Sequence, residues 1–165
     1  MTGKNYNSVG IETNWWNFSS LATFNDRTRC FVDQYSKYPI EGTHRMVDGA
    51  FTLSENIADH EGLKAAFRGY KNLLKHNATK DSVLPYGVKN PRLNYTDDQI
   101  FFISFARQYC KKSTVYDNYN TADWDNHTPD KYRVIGMVAN SPDFKKAFKC
   151  FARDRVISKE PCNIF

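Results

Sequence analysis

The fold depends on residues 47–76, which read VDGAFTLSENIADHEGLKAAFRGYKNLLKH. After Ser54, apolar side chains recur at steps of three and four residues, the spacing that places them on one face of a helix. They are Ile57, Leu63, Ala66, Phe67, Tyr70, Leu73 and Leu74. Ser54 can cap such a helix, and Glu55 adds a negative charge to the first turn, where the helix dipole favours it. The pattern therefore predicts a long amphipathic helix from Ser54 to about His76.

Helical patterns also flank this segment. Residues 14–38 carry one apolar face and end before Pro39, which stops a helix. The sequence TDDQ at 96–99 is a capping box ahead of an apolar run to Tyr109, and Ser141-Pro142 opens a last helix. Residues 77–95 read as a loop, residues 111–133 as irregular and residues 153–165 as extended. No segment alternates as a strand does, so we predict a mainly α chain.

Composition is that of a packed domain. The 165 residues fit one domain or part of one, and a hydrophobic content of 41% argues against disorder. The net charge of +5 is compatible with an anionic partner. The basic residues look scattered, however, with pairs at Lys111-Lys112 and Lys145-Lys146. We therefore interpret the surface as one of mixed charge and expect no nucleic acid partner.

Two sets of features bear on the cellular compartment. No apolar run approaches the ~20 residues of a membrane span, and the first ten residues lack a signal-peptide core, which by itself predicts a cytosolic chain. Four N-glycosylation sequons give weak support to secretion instead. They lie at Asn17, Asn77, Asn94 and Asn126.

Four cysteines show no CxxC motif, and their spacing is equally compatible with disulfides and with buried free thiols. They are Cys30, Cys110, Cys150 and Cys162.

Two short groups of residues could carry chemistry. Glu55 and Asp59 are four residues apart and share one helix face, where a metal or another cation would offset their repulsion. Spacing alone favours two solvated acids at a helix N-terminus. In the second group, Asp125 can orient the imidazole of His127, and Arg133 can bind a carbonyl or carboxylate. Spacing alone favours an ordinary loop histidine here.

Other motifs are missing from the sequence. The remaining histidines have no supporting neighbours, and we interpret all three as surface residues. They are His44, His60 and His76. The 165 residues contain no HExxH, GxSxG, P-loop or GxGxxG.

Several strings together resemble the neprilysin family of zinc endopeptidases. VDGAFTLSENIAD is similar to the family's VNGxxTLGENIAD, and GLKAAFRGYK to GLxxAYRAYK. QIFFISFARQYC is similar to QLFFLxFAQxWC, DNHTPDKYR to DxHxPxxFR, and NSPDF to NSPEF. The match is collinear from about Gly3 to Phe165. It implies the C-terminal helical part of a thermolysin-like (gluzincin) catalytic domain, with residues 1–165 forming a single incomplete domain.

The resemblance assigns a role to each candidate residue. Glu55 matches the family's third zinc ligand, and Asp59 matches the carboxylate that orients a zinc-binding histidine. His127 matches the histidine that stabilises the oxyanion of the tetrahedral intermediate, and Asp125 matches its orienting partner. Arg133 matches the arginine that holds a backbone carbonyl of the peptide substrate.

The resemblance also indicates what lies outside this sequence. The family's HExxH, with two zinc histidines and the general-base glutamate, lies just upstream of the position of Met1. Cys30 and Cys162 are expected to pair, whereas Cys110 and Cys150 match cysteines whose partners lie near the family's N-terminus. We expect a part of an extracellular or cell-surface zinc metalloendopeptidase that is inactive alone. The alternative is a secreted binding or decoy module without catalysis.

Overall fold

Helices make up the regular structure of the chain. The computed structural model describes residues 3–76, 95–151 and 153–164, apart from the side chain of His76. A 3₁₀ turn at Gly3–Asn5 is followed by six helices. These are α1 (Phe18–Tyr35), α2 (Leu53–His76), α3 (Asp97–Arg107), α4 (Val115–Thr121), α5 (Asp130–Ala139) and α6 (Pro142–Ala147). The mainly α prediction is confirmed, and the described residues contain isolated bridges but no strand.

The long central helix matches its prediction closely. It begins at Leu53, one residue before the expected cap at Ser54. The capping box of α3 is also present, because the Thr96 hydroxyl accepts the Gln99 amide at 3.3 Å and the Gln99 side chain accepts the Thr96 amide at 2.9 Å. The loop predicted for residues 77–95 lies outside the described residues except at Tyr95, as do the sequons at Asn77 and Asn94.

Two predictions about irregular segments were wrong. Residues 111–133 contain all of α4 and the start of α5, because Thr114 and Asp117 form a second capping box that starts α4. The tail is not extended throughout, since the amides of Asp154 and Ile157 close successive turns at 3.0 Å each. The rest of the tail returns to the core. Its buried side chains are Ile157, Cys162 and Ile164.

Two hydrophobic clusters hold the helices together. The first joins α1 to the following turn and to the tail, and its buried members are Phe31, Tyr35, Ile40, Val47, Cys162 and Ile164. The second joins α2, α3 and α5, and its buried members are Leu63, Phe67, Phe102 and Met137. Helix α2 packs against both α1 and α5, so it is the element on which the other helices are placed. Among the described helices, none has the length and hydropathy that crossing a membrane requires.

One histidine lies in this interior rather than on the surface. His60 is 5% exposed and its ring packs edge-on against Phe31 at 5.3 Å, so its interpretation as a surface residue was wrong. Burial lowers the pKa of His60 because the charged ring loses its water. His44 is exposed, as expected, and the side chain of His76 lies outside the described residues.

A disulfide fixes the tail to α1. Cys30 and Cys162 are bonded, with their Cα atoms 5.5 Å apart, which is the pairing that the family resemblance implies. Cys110 and Cys150 are free thiols in this chain, the first exposed and the second half-buried.

A buried polar chain connects α2 to the loop that precedes α5. Asn56 is 0% exposed, and its side-chain amide donates to the Thr52 hydroxyl at 2.9 Å. The Thr128 hydroxyl donates to the carbonyl oxygen of the same amide at 2.8 Å. Because buried polar groups must be satisfied, these bonds fix the loop against the first turn of α2.

We predict that changing both Cys30 and Cys162 to alanine lowers the free energy of unfolding by about 2–4 kcal/mol. The bond closes a loop with a sequence separation of 132 residues, so the unfolded chain gains much freedom without it. Urea denaturation of the folded chain measures this change. Cys110→Ala is the control, since its thiol is exposed and its loss should cost less than about 0.5 kcal/mol. Equal midpoints for the double variant and the parent would contradict the prediction.

We predict that Thr128→Val lowers the free energy of unfolding by about 1–3 kcal/mol, because it leaves the buried Asn56 carbonyl without its donor. Thr128→Ser keeps a hydroxyl and should lose much less. Thr23→Val, at an exposed position on α1, controls for the change of threonine to valine. Chemical denaturation compares the four proteins, and a valine variant as stable as the serine variant would argue against the buried link.

Candidate active site

The predicted site residues converge at the N-terminal part of α2. Glu55 and Asp59 lie on successive turns of this helix. His127 comes from the loop before α5, and Arg133 comes from the first turns of α5. The site is therefore built from segments that are more than 70 residues apart in the chain.

Glu55 and His127 face each other across this junction. The His127 Nε2 atom lies 3.4 Å from the Glu55 Oε2 atom. Both side chains remain accessible, with exposed fractions of 42% for His127 and 31% for Glu55. The local spacing around His127 favoured an ordinary loop histidine, but the fold brings the ring to the carboxylate. An imidazole and a carboxylate at an accessible surface can contact a ligand together.

Asp125 fixes the orientation of the His127 ring. Its Oδ1 atom accepts the His127 backbone amide at 2.9 Å and lies 2.8 Å from the ring Nδ1 atom. A carboxylate beside Nδ1 favours a proton on that nitrogen and points Nε2 toward Glu55. Burial alone would raise the pKa of Asp125, but the two hydrogen bonds from His127 outweigh it and lower the pKa below its ordinary value.

Asp59 and Arg133 form a second, more enclosed pair. Arg133 Nε donates to Asp59 Oδ2 at 2.6 Å, and Nη2 donates to Oδ1 at 2.7 Å. The exposed fractions are 18% for the arginine and 11% for the aspartate. This bond raises the pKa of Arg133, and the guanidinium also lies 4.9 Å from the Tyr109 ring centroid. Only some of the five N–H donors of Arg133 are used by Asp59, so others can reach a ligand.

The sequence identified these five residues but not how they are paired. It placed Asp59 behind Glu55 and did not connect it to Arg133. It also missed Asn56 and Thr128, which lie next to Glu55 and His127 in the chain and hold their backbones together. A signal for Asn56 exists, because it stands on the buried stripe that continues through residues 60, 63 and 67.

A cavity of about 190 Å³ opens beside the pairs. His127, Arg133 and Asp125 contribute to its wall together with Phe51 and Lys111. A larger cavity, about 570 Å³, lies between residues 15–17 and α1, but its lining contains no carboxylate and no histidine. The smaller cavity is the one whose wall carries His127, Asp125 and Arg133 together.

The described residues do not form a metal site by themselves. They contain no group of three His, Cys, Asp or Glu side chains arranged to hold a metal ion. Glu55 has an accessible carboxylate that faces the His127 ring, whereas both Asp59 oxygens already accept from Arg133. The arrangement fits one carboxylate ligand, with the remaining ligands coming from other residues.

Relatives of known sequence match almost the whole chain. Endothelin-converting enzyme 1 of Homo sapiens is 39% identical over 148 residues, which is 90% of this chain and 18% of that protein. Neprilysin-3 of Drosophila melanogaster is 36% identical over 163 residues, which is 99% of this chain and 20% of that protein. The chain thus spans about a fifth of the length of the curated relatives it matches.

Solved structures contain the same fold as part of longer chains. The zinc metalloprotease Zmp1 of Mycobacterium tuberculosis, in complex with inhibitor, matches with a TM-score of 0.84 and 27% identity over 98% of this chain and 24% of its own. PepO from Lactobacillus rhamnosis matches with a TM-score of 0.74 and 27% identity, over 94% of this chain and 21% of its own. The model of Peptidase family M13 matches residues 1–164. Three of the five candidate residues, Asp125, His127 and Arg133, line one cavity, and Glu55 and Asp59 contact two of them. With this arrangement and a match along nearly its full length, the chain belongs to peptidase family M13.

Proposed function

We propose that this chain is the C-terminal portion of the catalytic domain of a zinc metalloendopeptidase, which hydrolyses peptide bonds in peptides. The observation that carries the proposal is the approach of His127 Nε2 to within 3.4 Å of the Glu55 carboxylate. The same cavity wall includes Arg133, which Asp59 holds by two hydrogen bonds. Membership of a peptidase family supports the same assignment.

Glu55 is proposed as a zinc ligand. Its carboxylate is accessible, and the position matches the family's third ligand. The two histidine ligands and the general-base glutamate are proposed to come from an HExxH that is not among these 165 residues. When bound, zinc would lower the pKa of its water to about 7 and polarise the scissile carbonyl.

His127 is proposed to stabilise the oxyanion of the tetrahedral intermediate. Its ring must donate from Nε2 to do so. Asp125 holds the ring in place, because its carboxylate lies 2.8 Å from Nδ1 and accepts the His127 backbone amide. The Asn56–Thr128 hydrogen bond holds the loop against α2, so that the His127 ring stays close to Glu55.

Arg133 is proposed to hold a backbone carbonyl of the substrate. The bidentate bond to Asp59 fixes the plane of the guanidinium, so the remaining donors point in a defined direction. Asp59 is further proposed to orient a zinc-binding histidine, since each carboxylate oxygen can accept more than one hydrogen bond. Asp59 would then contact both a zinc-binding histidine and the arginine that holds the substrate.

The compartment is proposed to be extracellular or cell-surface. A disulfide joins Cys30 and Cys162, and such bonds persist in oxidising compartments. The sequon at Asn17 is exposed at the N-terminus of α1, where its side chain accepts the Ser20 amide at 2.8 Å. We expect Asn17 to be accessible to glycosylation in that compartment.

We predict that the purified 165-residue chain has no peptidase activity, because a single carboxylate ligand binds zinc weakly. Cleavage of a quenched fluorescent peptide, with and without added zinc, measures this directly. Cleavage that phenanthroline abolishes would contradict the prediction.

We predict that a chimaera in which this chain replaces the matching segment of human endothelin-converting enzyme 1 cleaves peptides in a zinc-dependent way. In the chimaera, Glu55→Gln should remove bound zinc and activity together. His127→Ala should retain zinc and lower kcat by about 10²–10³-fold, the usual cost of losing one oxyanion donor. Metal analysis and steady-state kinetics separate these two effects.

The matched controls are Glu12→Gln and His44→Ala, which make the same chemical changes at exposed positions. Both should leave kcat and zinc content unchanged. A folded, zinc-loaded chimaera without activity would instead favour the non-catalytic binding or decoy module.

A further inference from the structure

The net charge of the chain is concentrated in one segment. Residues 145–159 contain six basic side chains and one acidic side chain, Asp154, which gives the segment a charge of +5. The basic residues are Lys145, Lys146, Lys149, Arg153, Arg155 and Lys159. This equals the net charge of the whole sequence, so the other 150 residues are balanced. The interpretation of the basic residues as scattered was wrong, because it considered only adjacent basic pairs. The net charge summed over a fifteen-residue segment shows the concentration.

All six basic side chains are exposed, and in the described residues none of them makes an ion pair. Basic residues elsewhere do pair, as Arg45 with Asp123 and Lys71 with Asp98. The single acid of the segment is turned to its own backbone, since the Asp154 carboxylate accepts the Phe151 amide at 2.6 Å. The positive charge of this segment therefore faces solvent, with Asp143 and Glu160 as the acids that flank it.

The segment is held in a compact form. The Cys150 amide bonds the Lys145 carbonyl at 2.9 Å, and the turns at Asp154 and Ile157 follow directly. Beyond them, the Ser158 amide bonds the Ala139 carbonyl at 3.1 Å, and the disulfide at Cys162 fixes the tail. Folding thus crowds like charges that an extended tail would keep apart, which costs free energy unless an anion is bound.

We propose that residues 145–159 bind a sulfated polysaccharide. Clusters of exposed lysine and arginine attract polyanions by releasing their counter-ions. This inference rests on the proposed extracellular or cell-surface compartment, which the disulfide supports and in which sulfated glycans are abundant polyanions. Among its described residues the segment has one exposed aromatic side chain, Phe151, whereas single-stranded nucleic acids are bound by aromatic side chains on which successive bases stack.

The test uses the full chain and heparin, with affinity measured at several salt concentrations. Two triple variants each remove three charges from the segment, one with Lys145, Lys146 and Lys149 changed to glutamine and one with Arg153, Arg155 and Lys159 changed to glutamine. The control removes three charges at other exposed positions, with Arg29, Lys75 and Arg107 changed to glutamine. We expect each segment variant to weaken binding at least about tenfold and to reduce its salt dependence.

The control variant should bind heparin within about twofold of the parent, since its charges lie outside the segment. Desulfated heparin should bind weakly or not at all. Equal loss in the control and segment variants would overturn the proposal, because binding would then follow total charge alone. Equal or tighter binding of single-stranded DNA or of phosphatidylserine vesicles would also overturn it. Thermal unfolding of each variant checks that the fold is intact. If one triple variant fails to fold, the other still tests the proposal.

Discussion

The buried side chain of Asn56 is the contact on which the site depends. Its amide bonds Thr52 on one side and Thr128 on the other, all within the interior at the start of α2. Each group left unsatisfied there would cost about 1–3 kcal/mol, so the loop of His127 has one favourable position against the helix. The placement of the accessible His127 ring is thus set by hydrogen bonds between buried side chains.

The electrostatics of the site follow from the same helix. Glu55 and Asp59 project from successive turns of α2, and each receives a different cationic or imidazole partner from the α5 region. Asp59 is enclosed and held by two hydrogen bonds from Arg133, whereas Glu55 stays accessible beside a ring oriented by Asp125. Two acids that share one face of a helix are therefore chemically distinct in the fold. One is suited to hold a side chain in place and the other to offer a ligand oxygen.

Local patterns explain which parts of the fold could be predicted. The period of α2 and the TDDQ box of α3 are properties of short segments, and both are present in the structure. Residues 111–133 were misread because their polar composition outweighed the capping signal at Thr114. His60 was misread because its burial comes from α1, through Phe31, and not from its own neighbours in the chain. Burial is a tertiary property, so a local pattern carries little information about it.

The sequence by itself determined the helical class and the charge that accumulates over residues 145–159, and through a family resemblance it nominated five candidate site residues. The tertiary structure alone decided the pairing of Asp59 with Arg133, the approach of His127 to Glu55, and which basic residues are left without a counter-charge. The reason is physical. Helix period and capping depend on neighbours a few residues apart, whereas hydrogen bonds and ion pairs of this site join groups that only the packing of α2 against α5 brings within reach.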